Sequence, residues 1–564
     1  MATAVAVVPA RRKLARDEWI ARMAVVALAL WLLVAVALPL WALLSKSFQN
    51  RDGVFVGLAN YATYFSNPAL FSSFWNSIVV AAIATAVVLP AAFAYAYALT
   101  RTAMKAKGLF NALAQIPILA PSLLPAIALI YLFGNQGLLR GLLFGQSIYG
   151  PLGIVIAEAF YTFPHALLIL VTALTTADAR LYESAAALGA SPRRIFLTVT
   201  LPGARYGILS AALVVFTLVV TDFGAPKVIG GRFNVLATDV YKQVVGQQNF
   251  QIGAVVAMML LAPAVLSFAA ERFVRRKQMA QLTAQAVPLV PKPQPLGDGA
   301  FLGLCALVAI PIVGILATAA FASLIKFWPY NLALSLRNYN FGNFETAGWL
   351  PYWNSLRLAG WTAVIGTALI FTGAYLQEKT RGLQAVRAVV QLFAMLPLAV
   401  PGLVLGISYI FFFNHPANPL GFLYGTMAIL VLNTIAHFYT VGHLTATTAL
   451  KQLDSEFEAV SASLRAPFYR TFGKVTVPVC LPAILDIAVY MFVNAMTTVS
   501  AVIFLWVPPT RVASIAVVYM DDAGWQGAAA AMAMMIVYTS ATVKVLHVLL
   551  ARTLDRRTQA WRRR

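Results

Sequence analysis

Ionisable side chains are scarce in the apolar stretches of this chain, so the few that occur there carry weight. Glu158 lies inside one such stretch and Asp222 at the end of another. A carboxylate surrounded by lipid is costly, so such a group faces a cavity or a partner. Two uses fit each: a pathway residue that meets a cationic group of a passing solute, or a hydrogen bond to a neighbouring helix. Both uses stay open at this point. Asn433 falls near the counterpart of Glu158 in the internal repeat described below and shares the pathway reading. His165, His437 and His443 are expected as packed or hydrogen-bonded core residues. No nucleophile stands beside a base, and no His, Cys and carboxylate cluster has metal-ligand spacing. Gly473-Lys474 lacks the upstream glycine of a phosphate-binding loop. Cys305 and Cys480 sit in or beside apolar stretches and read as small core residues. The chain is therefore expected to be no enzyme, with no cofactor or metal of its own.

A second kind of site is built from small residues. One polar segment reads Glu183-Ser184-Ala185-Ala186-Ala187-Leu188-Gly189, continues through Ser191-Pro192-Arg193-Arg194, and closes with Val199-Thr200-Leu201-Pro202. Another reads Glu458-Ala459-Val460-Ser461-Ala462-Ser463-Leu464-Arg465, then Ala466-Pro467, and closes with Val475-Thr476-Val477-Pro478. Each is a small-residue helix, a break, basic residues, and a proline before the next apolar stretch. Such a helix presents a smooth face suited to a groove on a partner protein.

The elements that hold these residues are set by composition. The 564 residues are 61% hydrophobic and 11% charged, which excludes a soluble globular fold. Apolar stretches long enough to cross a bilayer lie near 23–44, 76–100, 111–133, 150–174, 205–222, 251–270, 300–322, 354–376, 387–413, 421–446, 480–504 and 527–549. Backbone groups in lipid must be paired within the chain, so these are helices. The first is too long for a signal-peptide core and is expected to stay as an anchor. Pro117, Pro121, Pro125, Pro397 and Pro401 are expected to break or kink the third and ninth spans. The net charge of +22 follows the membrane rather than nucleic acid: with the N-terminus inside, about three quarters of the 41 Lys and Arg fall on the cytoplasmic side, where they meet anionic lipid.

The chain also repeats itself. Leu58-x-Asn60-Tyr61 recurs 278 residues later as Leu336-x-Asn338-Tyr339, and Trp75-Asn76-Ser77 recurs at the same offset as Trp353-Asn354-Ser355. Pro117 and Pro121 return as Pro397 and Pro401, and Pro202 returns as Pro478. The fold expected is an all-α membrane protein of about twelve transmembrane helices in two parallel six-helix repeats. The halves are placed at 1–270 and 300–564. The proline-containing residues 271–299 are expected as an extended cytoplasmic tether.

The two small-residue segments resemble the EAA loops of binding-protein-dependent ABC importer permeases, whose pattern is Glu-Ala-Ala, three residues, Gly, nine residues, Ile, one residue, Leu-Pro. Glu183, Ala185, Gly189, Leu201 and Pro202 match in register, with Ser184 and Val199 as mild departures. In the second copy Arg465 stands where Gly is usual, one position late counted from Glu458, and Val477 replaces Leu. The resemblance implies the type I importer permease fold and a multi-pass protein of the bacterial inner membrane with both termini cytoplasmic. It implies that Glu183, Ala185, Gly189, Arg193, Arg194 and Pro202, and Glu458, Ala459, Leu464, Arg465 and Pro478, form coupling loops. These would dock on two copies of a separate ABC ATPase, which binds the ATP and Mg, while a periplasmic binding protein delivers the solute. Fusion of two halves resembles the ferric-iron, thiamine and 2-aminoethylphosphonate branches. Residues 221–227, 241–248 and 457–468 look most like the 2-aminoethylphosphonate permeases, so that solute is the expected cargo, with ferric iron, thiamine or a polyamine as alternatives. A gradient-driven secondary transporter is the rival class.

Overall fold

The computed structural model describes residues 16–281, 287, 289–454, 456–464 and 466–558. Among them, nine helices are long and apolar enough to cross a membrane, and three further helix pairs, each bent at a short break, bring the total to as many as twelve. In chain order the first half contributes α1 (Arg16–Ser47), α2 (Pro68–Arg101), the bent pair α3 (Lys107–Leu119) and α4 (Leu123–Phe133), and α5 (Pro151–Thr175). It continues with a short α6 (Ala179–Ala187), the span α7 (Pro192–Thr221), short α8 (Gly224–Ile229) and α9 (Leu236–Tyr241), and α10 (Phe250–Gln281). The second half repeats this order as α11 (Pro295–Leu324), α12 (Leu350–Lys379), the bent pair α13 (Gln384–Ala399) and α14 (Gly402–Phe413), and α15 (Met427–Lys451). Then come α16 (Glu456–Ser463), the bent pair α17 (Phe468–Val479) and α18 (Leu481–Thr497), α19 (Ala513–Asp522) and α20 (Gln526–Thr558). A 25-residue helix such as α5 is about 38 Å long, enough for the hydrocarbon layer.

Proline sets the bends. Pro117 and Pro397 each open a 3-10 turn, and the chain then turns by 102° between α3 and α4 and by 119° between α13 and α14. Past the bends the chain is enclosed: Leu123 through Tyr131 in α4 and Gly402 through Tyr409 in α14 are all buried, so these half-spans run through protein rather than lipid.

The repeated sequence motifs turn out to be joints. Asn60 Nδ2 donates to the carbonyls of Ser47 and Gln49, both at 2.9 Å; Asn338 Nδ2 donates to those of Ser323 and Ile325 at 3.2 and 2.8 Å. Tyr61 meets Ser47 as Tyr339 meets Ser323, at 3.0 and 2.9 Å. These contacts fold the chain back against the end of the first span of each half. Asn76 donates to the Asn234 carbonyl and Asn354 to those of Pro509 and Arg511, each at 2.9 Å. Ser77 Oγ accepts from Leu236 N–H, and Ser355 Oγ from Ala513 N–H, both at 2.8 Å, which caps α9 and α19 on the second span. Each polar pair buries a backbone group with its partner, as a membrane interior requires.

Two expectations change. Residues 271–299 are not wholly an extended tether: α10 runs on to Gln281 and α11 begins at Pro295. No Pro or Gly interrupts 271–281, and Glu271 there accepts from Ser210 Oγ at 3.0 Å and pairs with Arg275 at 3.4 Å. Val287, between these helices, pairs with the start of α6: Ala179 N–H donates to its carbonyl at 2.9 Å, and its own N–H donates to Asp178 Oδ1 at 3.3 Å. The eleventh span ends at Thr497, not 504, because residues 498–505 form buried turns that are apolar without being helical. The basic residues Arg11, Arg12, Lys13, Arg562, Arg563 and Arg564 lie outside the described residues.

Candidate functional site: paired loops and a central cavity

The two small-residue segments are α6 and α16, and each is joined to the rest of its half in the same way. Five residues of wider π-type turn follow in each, 196–200 and 472–476. The first residue of each turn is an aromatic wedge against the second span. Phe196 packs 6.2 Å from Phe93 and 5.8 Å from Tyr97; Phe472 packs 5.9 Å from Phe371 and 4.7 Å from Tyr375. Sequence inspection missed these wedges, although their shared offset of 276 was available as a signal.

The turn that ends α6 needs Gly189. Its φ is +74°, where a side chain is strained, and a Cβ there would meet nothing within 4 Å. Ala190 N–H reaches back to the Ala185 carbonyl at 3.0 Å, the six-residue closure of a helix end. In the second loop Ala466 N–H closes on the Ser461 carbonyl, also at 3.0 Å. This fixes the register: Ala459, not Glu458, sits opposite Glu183, and position 465 sits opposite Gly189. The apparent late spacing thus comes from counting from Glu458. Arg465 itself lies outside the described residues, and for Glu458 the backbone alone is described, in α16.

What the loops present is apolar. Leu181 and Leu188 in the first are 60% and 87% exposed; Phe457 and Leu464, each 276 residues on, are 39% and 75% exposed. Seven residues separate the members of each pair, so they share one helix face. Glu183, Arg193 and Arg194 stand exposed beside them, Ala185 and Ala459 form part of the small-residue surface, and Pro202 and Pro478 are exposed within α7 and near the end of α17. Of the apolar knobs, Leu464 alone was singled out from sequence.

Between the halves, at the bends of both third spans, lies a cavity of about 420 Å³. Asp222 is the one carboxylate on its wall, and no Lys or Arg lines it among the described residues. Asp222 Oδ2 accepts from Ala225 N–H at 2.9 Å. The first half adds Tyr161 and His165; the second adds His437, Tyr490 and Asn494. Both histidines, His165 and His437, line this cavity instead of filling the core as expected. His443 is the core residue, stacked 5.6 Å from Tyr439. A second, wider cavity of about 980 Å³ shares Thr217, Leu398 and Val441 with the first and extends past Thr176 and Gln452, at the loop-bearing ends of α5 and α15. The space therefore leads from the centre toward the loops.

Two glycines make the walls fit. A Cβ on Gly224 would lie 2.2 Å from Ser122 Oγ, and a Cβ on Gly402 would lie 2.5 Å from Ser500 Oγ. Ser122 and Gly402 start α4 and α14, while Gly224 and Ser500 follow α7 and α18. The same close approach is thus built twice with the serine and glycine exchanged.

The other expected pathway residues are not on this wall. Glu158 is fully buried behind it, and its main polar neighbour is the Asp222 carboxyl, within hydrogen-bonding reach. Asn433 is fully buried and donates to the Ala501 carbonyl at 2.6 Å, holding the turn after α18. The repeat offset of 276 places Thr434, not Asn433, opposite Glu158.

Residues 102–279 match the family of binding-protein-dependent transport system inner membrane components. The chain is similar to a Haemophilus influenzae protein named as a ferric transport system permease protein, 29% identical over 74% of this chain and 68% of the relative. It is similar to a ferric transport system permease protein of Actinobacillus pleuropneumoniae, 28% identical over 78% of this chain and 65% of the relative. It also resembles a thiamine transport system permease protein of Brucella abortus, 25% identical over 70% of each chain. The chain thus spans about two thirds of the length of these relatives. With its paired loops and nine to twelve candidate spans among the described residues, the chain carries over residues 102–279 the segment that marks the binding-protein-dependent transport system inner membrane components, and it is similar over most of its length to transport system permease proteins.

Proposed function

We propose that the chain is the transmembrane permease subunit of an ATP-driven importer, and that its two loops dock on two copies of a cytoplasmic ABC ATPase. The observation that carries this is the pair of loops with matching apolar knobs, Leu181 and Leu188 against Phe457 and Leu464, on matching aromatic wedges. Four apolar side chains held in water at equivalent sites are complementary to a partner's groove. The wedges pass a push on either loop to α2 or α12. The loop side is then the cytoplasm, both termini lie there, and the wide cavity gives an inward-open state. ATP and Mg belong to the ATPase, and a periplasmic binding protein supplies the solute from the far side.

Asp222 on a wall without Lys or Arg suits a solute with a positive charge. Ferric iron, which two relatives carry in their names, is the cargo this favours. 2-Aminoethylphosphonate comes next: its ammonium suits Asp222, while its phosphonate finds no basic group there. Thiamine and polyamines remain as further cations. The test is uptake into proteoliposomes that hold the chain, its ATPase and the cognate binding protein, run with each of these solutes. ATP-dependent uptake of one of them, lost when Leu188 and Leu464 are both changed to Ser, is the expected result. A gradient-driven transporter is the second reading, favoured by the facing Glu158 and Asp222; uptake that survives without ATP would select it.

A further inference from the structure

On the face away from the loops, an exposed ion pair crosses between the two halves, in addition to the contacts of Trp328 and Tyr330 with Gln136. Lys227 of α8 and Asp522 of α19 meet at 2.9 Å, with the Asp522 side chain half exposed. Lys227 Nζ also sits 5.4 Å from the Tyr241 ring centroid, and Tyr241 stacks 6.3 Å from Phe504 of the second half. Lys227 lies three and five residues along the chain from Gly224 and Asp222 of the cavity wall, and Phe504 lies four from Ser500, so these contacts sit over the cavity between the halves.

Beside the pair is a pocket of about 370 Å³, lined by Lys227, Lys242, Asn234 and Tyr241. Lys242 donates to the Asn234 side chain and, among the described residues, has no ion pair. The second half has no such vacancy. Arg511, opposite Asn234 in the repeat, bonds the buried Glu345 and lies over Trp506 and Tyr519, at 4.4 and 4.7 Å. One half thus bonds its cation directly to a buried carboxylate, while in the other Lys242, with the buried Asp239 as its nearest acidic influence, keeps its ammonium group on an open pocket.

We propose that this pocket receives a carboxylate side chain of the docked periplasmic binding protein, which takes Lys227 from Asp522 and so unlatches the halves on the outer face. The inference rests on the importer reading for its partner. An ion pair this exposed is weak enough to exchange, because water screens it and two mobile side chains must be held to keep it. A carboxylate arriving between Lys227 and Lys242 gains two cations where Asp522 holds one. Docking and opening then share a single ammonium group.

The test compares three variants in lipid nanodiscs. Spin labels on Gln248 and Ala523 report the gap between the halves with the chain alone, and ATP hydrolysis is measured in the full complex with and without binding protein. In Asp522→Asn the gap widens and basal hydrolysis rises by up to about fivefold, the bias an exposed pair can give, while stimulation by binding protein persists. In Lys227→Met the gap widens equally but stimulation is lost. In Lys242→Met the gap is unchanged and half-maximal stimulation needs more binding protein. An unchanged gap in both Asp522→Asn and Lys227→Met overturns the latch. Persisting stimulation in Lys227→Met overturns the docking role. The gap measurement needs neither ATPase nor binding protein, so a failure of the importer reading would leave it interpretable.

Discussion

Replacement of Gly189 separates two reasons for a glycine at the end of a loop helix. Its φ of +74° costs an L residue about 1–2 kcal/mol, a factor of roughly 5 to 30 in the population of the correctly closed turn. Within the chain a Cβ there meets no atom within 4 Å, so no internal clash adds to this. Asn tolerates the left-handed region better than Ala, and Val tolerates it least. If the backbone is the reason, ATP-dependent uptake and ATPase retention on the membrane should fall in the order Gly, Asn, Ala, Val, with Asp near Asn apart from its charge. If the docked ATPase leaves no room, the order should follow size, and Ala should surpass Asn. Uptake and retention are measured at matched expression across the series. Ala equal to or better than Asn would refute the backbone argument, and full activity in Val would refute any role for this turn.

Other outcomes follow from the same geometry. Leu188→Ser and Leu464→Ser should each weaken ATPase association by about 10- to 100-fold, the worth of one buried leucine, read by co-purification. Because Ala459 occupies the place of Glu183, Glu458→Ala should be milder than Glu183→Ala in parallel uptake assays; equal losses would count against the register. Glu158 stands behind the wall, so Glu158→Gln should keep near-normal uptake, whereas Glu158→Leu should lower the melting temperature and Asp222→Asn should cut uptake by about 10- to 100-fold, as for a lost charged contact. Burial and the adjacent Asp522 hold the Asp521 carboxyl up to about 7, with Lys227 pulling it down. The folded protein then binds this proton more tightly than the unfolded chain, so its contribution to stability falls as pH rises from near 4 to about 7 and is level above. Asp521→Asn should flatten that part of a melting-temperature profile, and an unchanged slope would reject the assignment.

The spans were legible because a run of twenty apolar residues has little alternative to a membrane helix. The repeat was legible because Asn60, Asn76 and their copies must keep the same polar joints. Hydropathy reports burial and not helicity, which is why Val499 to Leu505 read as helix although they form a buried turn. It also cannot tell a core from a cavity. His165 and His437 look like packed residues in their own spans, and the space they border exists only where two distant bends meet. The second loop misled for another reason: Glu458 draws the eye, but the register of a short helix is set by the turn that closes it, here Ala466 on Ser461.

The backbone pairing of Val287 with Ala179 changes what covalent fusion of the halves means. The stretch that joins them is pinned to the first loop helix a few residues before it enters the second half at Pro295. A displacement of α6 therefore has a route into α11 that does not cross the membrane interior, whereas α16 has no matching strap among the described residues. Expressing the halves as two polypeptides would remove that route even if every span still packed. The difference between a split and a fused form would then measure how much of the stroke is carried by the chain itself.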